Sequence, residues 1–278
     1  MSRTLKGGLF QAALLFSLAV GFVTLGALLV DVFRRGVQWT DRVLITNPPS
    51  IDPQIAGARP AILATLYLGG LLLLFTVPIG VGTAIYLEEY ARDRWYNRLL
   101  ELNIQNLAAV PSIVYGILGL AFLVRGLGLG RVLLAGAMIL TLLVLPTVII
   151  ASREAIRAVP GSIRQGAYAL GATKWQVVSR QVLPAAVPGI ATGSILALSR
   201  ALGETAPLIM IGAVTYIAFD PTLLGPFTAL PIQIYQWVRL PGDEFQILAA
   251  AGIIVLLGIV LTMNALAIWL RNRYRRTW

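Results

Sequence analysis

The stretch from Arg153 to Glu204 decides the architecture of this chain. It reads REAIRAVPGSIRQGAYALGATKWQVVSRQVLPAAVPGIATGSILALSRALGE. Up to Pro184 it carries five Lys or Arg residues and one acid, Glu154. Two short amphipathic helices are predicted there, over Ser162–Leu170 and Thr173–Val182, with a Gly-Ala turn between them. The first two-thirds of the stretch therefore predict a basic helix–turn–helix.

The remainder of the stretch, from Ala185, is apolar and rich in small residues, and it predicts a helix inside a membrane. Arg200 and Glu204 lie within this apolar run, four residues apart and so on one helical face. A basic helix–turn–helix joined to a helix with a charged pair at membrane depth is typical of a transporter with an attached motor.

The composition predicts a polytopic membrane protein. Of the 278 residues, 58% are hydrophobic and only 12% are charged, about half the proportion of a soluble domain. The net charge of +10 suggests nucleic acid at first. The basic residues, however, follow the ends of apolar runs, as the positive-inside rule explains. The chain has no cysteine and no histidine, so disulfides and Ser/His, Cys/His or zinc sites built on those residues are excluded.

Hydropathy predicts an all-α fold that forms a single transmembrane domain over residues 1–278, with six spans. The predicted spans are residues 9–32, 61–87, 104–124, 132–151, 187–217 and 247–270, and the basic loop between the fourth and fifth spans covers residues 152–186.

The distribution of Lys and Arg predicts the orientation. Six spans put both termini on one side, and that side holds fourteen of the 22 basic residues against seven on the other. Because cytoplasmic loops carry the excess of positive charge, both termini and the basic loop are expected in the cytoplasm. Arg200 is the one basic residue assigned to neither side.

We find no nucleotide site in the sequence. The nearest approach to a phosphate-binding loop, GAYALGATK at Gly166–Lys174, lacks the Gly-Lys-Ser/Thr ending that holds phosphates. If ATP drives this protein, another subunit has to bind it, and the chain is then a transport subunit without enzymatic activity of its own.

The basic loop resembles the "EAA" loop of ABC importer permeases, whose pattern is Glu-Ala-Ala, three residues, Gly, nine residues, Ile, one residue, Leu-Pro. Gly171 and the pair Leu183-Pro184 match at the required spacing, whereas Gln165 and Gly166 replace Glu-Ala and Gln181 replaces the Ile. The resemblance implies a type I importer fold whose cytoplasmic coupling helices dock on an ATPase. The residues it implies for this coupling are Gln165, Gly166, Ala167, Gly171, Ala172, Thr173, Lys174, Leu183 and Pro184.

Five further segments narrow the resemblance to permease subunits of phosphate-specific ABC importers, of the PstA kind more than the related PstC kind. They are PIGVGTAIYLEEYA (78–91), NLAAVPSIVYGILGL (106–120), EAIRAVP (154–160), LGATKWQ (170–176) and SRALGETAPLI (199–209). This resemblance implies a bacterial inner-membrane location and three partners: a PstC-like permease, a PstB-like ATPase dimer that binds ATP and Mg²⁺, and a PstS-like phosphate-binding protein. No cofactor is implied for this chain.

Arg200 and Glu204 are the candidate substrate-path residues. An arginine near mid-membrane costs about 2.5–3.5 kcal/mol on insertion scales, and such residues usually face a wet cavity. A guanidinium also offers paired donors to a tetrahedral oxyanion. A purely structural ion pair is the alternative. A small-residue stripe on the same helix, Gly189, Gly193, Ala197 and Ala201, predicts close helix packing, either within the chain or against a partner subunit.

Two other classes of function stay open on the sequence. One is a permease for another oxyanion or small solute. The other is a self-sufficient channel or secondary carrier, which would work without an ATPase and which predicts inverted repeats that the sequence does not show.

Overall fold

The computed structural model describes residues 3–213 and 216–273, and every regular element in those ranges is helical. The helices are α1 (Arg3–Gly36), α2 (Arg42–Thr46), α3 (Arg59–Ile85), α4 (Trp95–Ala108), α5 (Ser112–Gly119), α6 (Leu133–Arg157), α7 (Gly161–Ala169), α8 (Lys174–Val177), α9 (Leu183–Leu202), α10 (Ala206–Met210), α11 (Leu230–Arg239) and α12 (Asp243–Arg273).

Short segments of other helix types extend several of these helices. A 3₁₀ turn follows α1, and π-helical turns follow α3, α5 and α8. They are Val37–Trp39, Tyr86–Tyr90, Leu120–Gly126 and Val178–Val182.

Five helical stretches are long and apolar enough to cross a membrane, and a bent pair supplies a sixth span if it is counted as one. The five are Gly7–Trp39, Arg59–Tyr90, Leu133–Arg157, Lys174–Leu202 and Asp243–Arg273, and the bent pair is Trp95–Ala108 with Ser112–Gly126. The all-α polytopic fold predicted from the sequence is confirmed.

Helix α6 is the centre of the bundle, between α3 and α9. Small residues allow the close approach: a Cβ added at Gly80 of α3 would lie 2.8 Å from Val148 of α6. One added at Gly189 of α9 would lie 2.7 Å from Cβ of Ala155. Most of α6 is buried in consequence, whereas the apolar part of α1 is exposed and α1 meets α12 at Gly36.

The third predicted span, residues 104–124, is not one straight helix. Residues 104–108 belong to α4, and the chain bends by 105° before α5 begins at Ser112. The cause is local: Pro111 has no N–H to continue the ladder, and its ring drives the preceding residue out of the helical region. The segment that enters the bundle is therefore Ser112–Gly126.

The fifth predicted span, residues 187–217, is shifted at both ends. It begins at Lys174, because α8 and a π-helical turn run into α9 without a break, so the second predicted coupling helix is the start of the span. It ends at Leu202, followed by Gly203 and the short α10. Pro207 near the start of α10 and Gly203 together explain the break. Within residues 211–213 and 216–217 the chain is not helical.

Candidate functional site

The turn of the basic loop is built by two capping motifs in succession. At the end of α7, Gly171 has φ +78°, its N–H donates to the carbonyl of Tyr168 at 2.9 Å, and the N–H of Ala172 donates to that of Ala167 at 3.1 Å. This is a Schellman motif, which favours glycine at the left-handed position. Thr173 and Gln176 then form a capping box at the start of α8. The loop is thus a helix–turn–helix of defined geometry, as the sequence predicts.

The nine predicted coupling residues do not all share one surface. Leu183 and Pro184 are half-buried inside the continuous helix, and Ala167 and Ala172 pack against the bundle. The exposed members are Gln165, Gly166, Gly171, Thr173 and Lys174. Sequence analysis overlooked the largest exposed group, the apolar side chains of Tyr168, Leu170 and Trp175, with Leu170 at 90% exposure. An apolar patch on the tip of a basic loop is typical of a docking surface.

Arg164 anchors α7 to the end of α3. Its Nη2 lies 2.8 Å from Oε1 of Glu89, and the same guanidinium donates to the carbonyls of Ile156 and Val159 at the end of α6. On the other half of the loop, the ammonium of Lys174 lies 4.8 Å from the ring centre of Tyr90. Both halves of the loop are therefore held by the π-helical turn that follows α3.

A second ionic cluster joins α3, α4 and α6 at the same end of the bundle. Arg153 is 9% exposed, and its guanidinium lies 2.7 Å from Glu88 and 3.0 Å from Glu101. Glu88 also accepts from Arg157 at 2.8 Å. A buried arginine needs such carboxylate partners. The signal in the sequence was the acidic residues of 88–101 opposite the basic residues of 153–164, but sequence reasoning did not pair them.

Not every ion pair at this end is structural. Arg98 donates two hydrogen bonds of 2.7 Å to Asp93, and these bonds, with the positive charge, hold the pKa of the Asp93 carboxyl below its usual value. Both side chains are exposed, and exposed pairs contribute little to stability. The buried cluster around Glu88 is therefore the one that joins the helices.

We expect Gly171→Ala to impair ATPase capture by the loop, whereas Gly166→Ala should not. A left-handed backbone costs a residue with Cβ about 1–2 kcal/mol, although no atom obstructs the added methyl at either site. Gly166 has ordinary helical geometry, so alanine there is favoured. The measurement is the amount of ATPase that co-purifies with each variant. Equal recovery for both variants would show that the turn geometry is dispensable.

Arg200 and Glu204 lie where α9 stops. Arg200 is in the last turn of α9, and Glu204 follows the helix end, with its N–H bonded to the carbonyl of Ala201 at 3.1 Å. Nε of Arg200 lies 3.6 Å from Oε1 of Glu204, too long for a hydrogen bond. The Arg200 side chain is 70% exposed on this chain and that of Glu204 is 19% exposed. The arginine is thus available to another group.

The packing of α9 on α6 sets the depth of Arg200. Gly189 lies against Ala155 and Gly193 against Ala151, so the two helices are antiparallel in a constant register. Continued along α9, this register places Arg200 level with Val144, near the middle of α6. Because α6 has 25 residues and is about 37 Å long, Arg200 lies level with the middle of the helix, and its depth in the membrane stays a prediction.

The small-residue stripe is a seam within the chain. Gly189 and Gly193 face α6, and Ala197 and Ala201 are buried in the main core. This confirms the packing interpretation. The alternative, that the stripe also meets a partner subunit, stays a prediction, because Gly189 is exposed and Gly193 is half-buried on this chain.

The charged side chain of Arg200 lies at the point where helix α9 is interrupted. Irregular backbone inside a membrane is tolerated only where protein buries it or water reaches it. Gly203 is exposed beside Arg200, so the rest of the described chain covers neither the break nor the guanidinium. A guanidinium there can bind an oxyanion, and the adjacent carboxylate can pair with the guanidinium when no anion is bound.

Comparison with known proteins gives a consistent picture. Residues 76–276 match the family described as "Binding-protein-dependent transport system inner membrane component". The chain is 32% identical to the phosphate transport system permease protein PstA 1 of Mycobacterium tuberculosis, over 98% of this chain and 90% of that one. It is 34% identical to PstA of Yersinia pestis, over 92% of this chain and 88% of that one. A bacterial alginate ABC transporter shares the fold, with a TM-score of 0.69 over 98% of this chain and 96% of that one, at 20% identity.

Proposed function

The chain belongs to the family of binding-protein-dependent transport system inner membrane components, and from that premise we propose that it is the PstA-like transmembrane subunit of an ATP-driven phosphate importer. The observation that carries the proposal is the likeness to PstA proteins, at 32–34% identity over more than nine-tenths of the chain. The chemistry of the path supports it, since Arg200 offers an exposed guanidinium level with the middle of α6.

In this proposal Arg200 holds phosphate during passage. The guanidinium replaces part of the water that phosphate loses, through two parallel N–H donors. Glu204, at 3.6 Å, lowers the cost of the unoccupied guanidinium and repels a fully ionised anion. Weak binding suits transport, because the substrate has to leave as well as enter.

ATP hydrolysis reaches this site through one continuous helix. The stretch Lys174–Leu202 begins in the coupling loop and ends two residues after Arg200. An ATPase that binds the exposed apolar side chains at the tip of the loop, around Leu170, therefore moves the helix that carries Arg200. ATP and Mg²⁺ belong to the ATPase subunits in this scheme.

The proposed assembly contains a PstC-like permease, a PstB-like ATPase dimer and a PstS-like phosphate-binding protein, in a bacterial inner membrane. We place both termini and the loop around Ser162 in the cytoplasm, and the segment around Gln54 outside. The chain lacks native cysteine, so Ser162→Cys and Gln54→Cys give clean reporters. An impermeant thiol reagent should label only Gln54→Cys in intact cells, and labelling of Ser162→Cys would reverse the orientation.

A permease for a different oxyanion, or a subunit of the PstC kind, is the second candidate. It is favoured by one observation: the exposed guanidinium of Arg200 would also bind sulfate or molybdate, because its donors recognise only the charge and the oxygen geometry of the anion.

The decisive experiment reconstitutes the complex in liposomes and measures ATP hydrolysis. We expect the phosphate-loaded binding protein to stimulate ATP hydrolysis, whereas the unliganded binding protein should not stimulate it. Stimulation by a sulfate- or molybdate-specific binding protein in its place, without any by the phosphate protein, would support the second candidate. Transport without the ATPase subunits would mean a secondary carrier.

A further inference from the structure

A groove runs along the bundle between α3, α9 and α12. Eight apolar side chains line it with only two polar ones, Ser194 and Arg271, and its volume is about 340 Å³. Along α9 it extends from Val187 to Leu198, a rise of about 16 Å. One leaflet of the hydrocarbon core is about 15 Å deep, half the thickness of the whole core. The groove therefore has the length and the polarity of a site for one acyl chain.

Arg271 gives the groove a charged end. Its Nη1 donates to Oγ1 of Thr192 at 2.8 Å, and its Nε donates to Oδ1 of Asn272 at 3.2 Å. A guanidinium has five N–H donors. Within residues 3–213 and 216–273, no carboxylate lies within ion-pair distance of Arg271. Several donors thus remain for an anion, which a phosphodiester would satisfy in pairs.

The depth of this charge suits a lipid headgroup. The register of α9 on α12 is set by two contacts, Thr192 with Arg271 and Ser199 with Asn264 at 2.6 Å. Thr192 precedes Arg200 by eight residues, so the guanidinium of Arg271 lies about 12 Å along α9 from Arg200, whose level we take as mid-membrane. That distance approaches the headgroup boundary, about 15 Å from the centre.

The groove and the substrate path lie on different sides of α9. At 100° per residue, Leu196 and Arg200 point away from Ala191, Ser194 and Leu198. The first pair forms the exposed face beside the helix break, and the other three line the groove. A second permease subunit that meets the Arg200 face would leave the groove open to lipid.

We propose that this groove binds one anionic phospholipid of the leaflet nearer Arg271, with the phosphodiester on the guanidinium and an acyl chain along the apolar wall. In the orientation proposed above this is the cytoplasmic leaflet, where anionic lipids and basic segments attract each other. The apolar wall argues for a lipid over free phosphate, which gains nothing from burying a hydrocarbon surface.

The test is lipid retention by the full transporter complex. The complex is purified from vesicles of phosphatidylglycerol and phosphatidylethanolamine in equal amounts, and the lipids that remain bound are counted by native mass spectrometry. The variants are Arg271→Gln, which removes the charge, and Ala267→Trp, which fills the groove. Arg273→Gln is the matched control, since Arg273 lies one half-turn further on and stacks over Trp269 at 5.7 Å.

We expect wild type and Arg273→Gln to retain one phosphatidylglycerol, and both groove variants to lose it by about tenfold or more. Melting temperatures near that of the wild type show that the variants are folded. The proposal is overturned by equal retention in Arg271→Gln and the control, by equal retention of both lipids in wild type, or by displacement with inorganic phosphate. A disulfide from Ala267→Cys to a partner subunit would show that protein covers the groove.

Discussion

Arg200→Gln should abolish phosphate uptake, while basal ATP hydrolysis by the assembled complex persists. Arg200 is the group in the proposed path that can replace phosphate hydration with paired donors. A hydrogen bond to a charged group is worth about 1.5–3 kcal/mol, so losing two reduces uptake by about a hundredfold or more. Arg200→Lys keeps the charge but loses the planar fork, and we expect it to retain a small residual rate.

The measurement is radiolabelled phosphate uptake in cells that lack other phosphate carriers, with expression checked by immunoblot. Arg35→Gln is the matched control: Arg35 also pairs with an acid four residues away, Asp31, at 2.9 Å, but this pair lies in the last turns of α1 and not at the end of α9. It should transport like the wild type. If well-expressed Arg200→Gln does so too, Arg200 is structural and the path follows another face of α9.

Glu88→Gln should destabilise the bundle and release the coupling loop. Glu88 is 13% exposed and neutralises both Arg153 and Arg157. Breaking a buried pair costs 3–5 kcal/mol, and we expect about 3 kcal/mol because Glu101 still faces Arg153. For a chain of this size that corresponds to a melting temperature lower by about 6 °C or more.

Thermal unfolding of the purified complex, followed with a fluorescent probe, measures this effect. Asp93→Asn is the control, because it removes an equally short carboxylate–arginine contact at the same end of the bundle, but an exposed one. It should leave the melting temperature close to that of the wild type. If the two variants melt alike, the Glu88 cluster does not join the helices, and the ATPase that co-purifies with each should then be equal as well.

The features of this protein that depend on neighbouring residues could be predicted from its sequence. Apolar runs of span length predict helices in a membrane wherever they fold, because backbone polar groups in lipid must bond within their own segment. The turn of the coupling loop could be predicted as well, since the hydrogen bonds that form it around Gly171 and Thr173 join residues at most five positions apart. Arg200 and Glu204 were also predicted to lie together, because side chains four residues apart are neighbours along a helix.

What the sequence left undecided depends on contacts between distant residues. Glu88 and Arg153 are 65 positions apart, and Thr192 and Arg271 are 79 apart. No local pattern pairs them, because many acids and bases could meet until the helices pack in one register. The path of the chain after α9 is of the same kind. Hydropathy predicts a span that continues to residue 217, whereas Gly203 and Pro207 break the helix locally. Packing between distant residues then decides where the chain goes after the break, since α10 packs closely on α5, where a Cβ at Gly116 would lie 2.8 Å from Pro207.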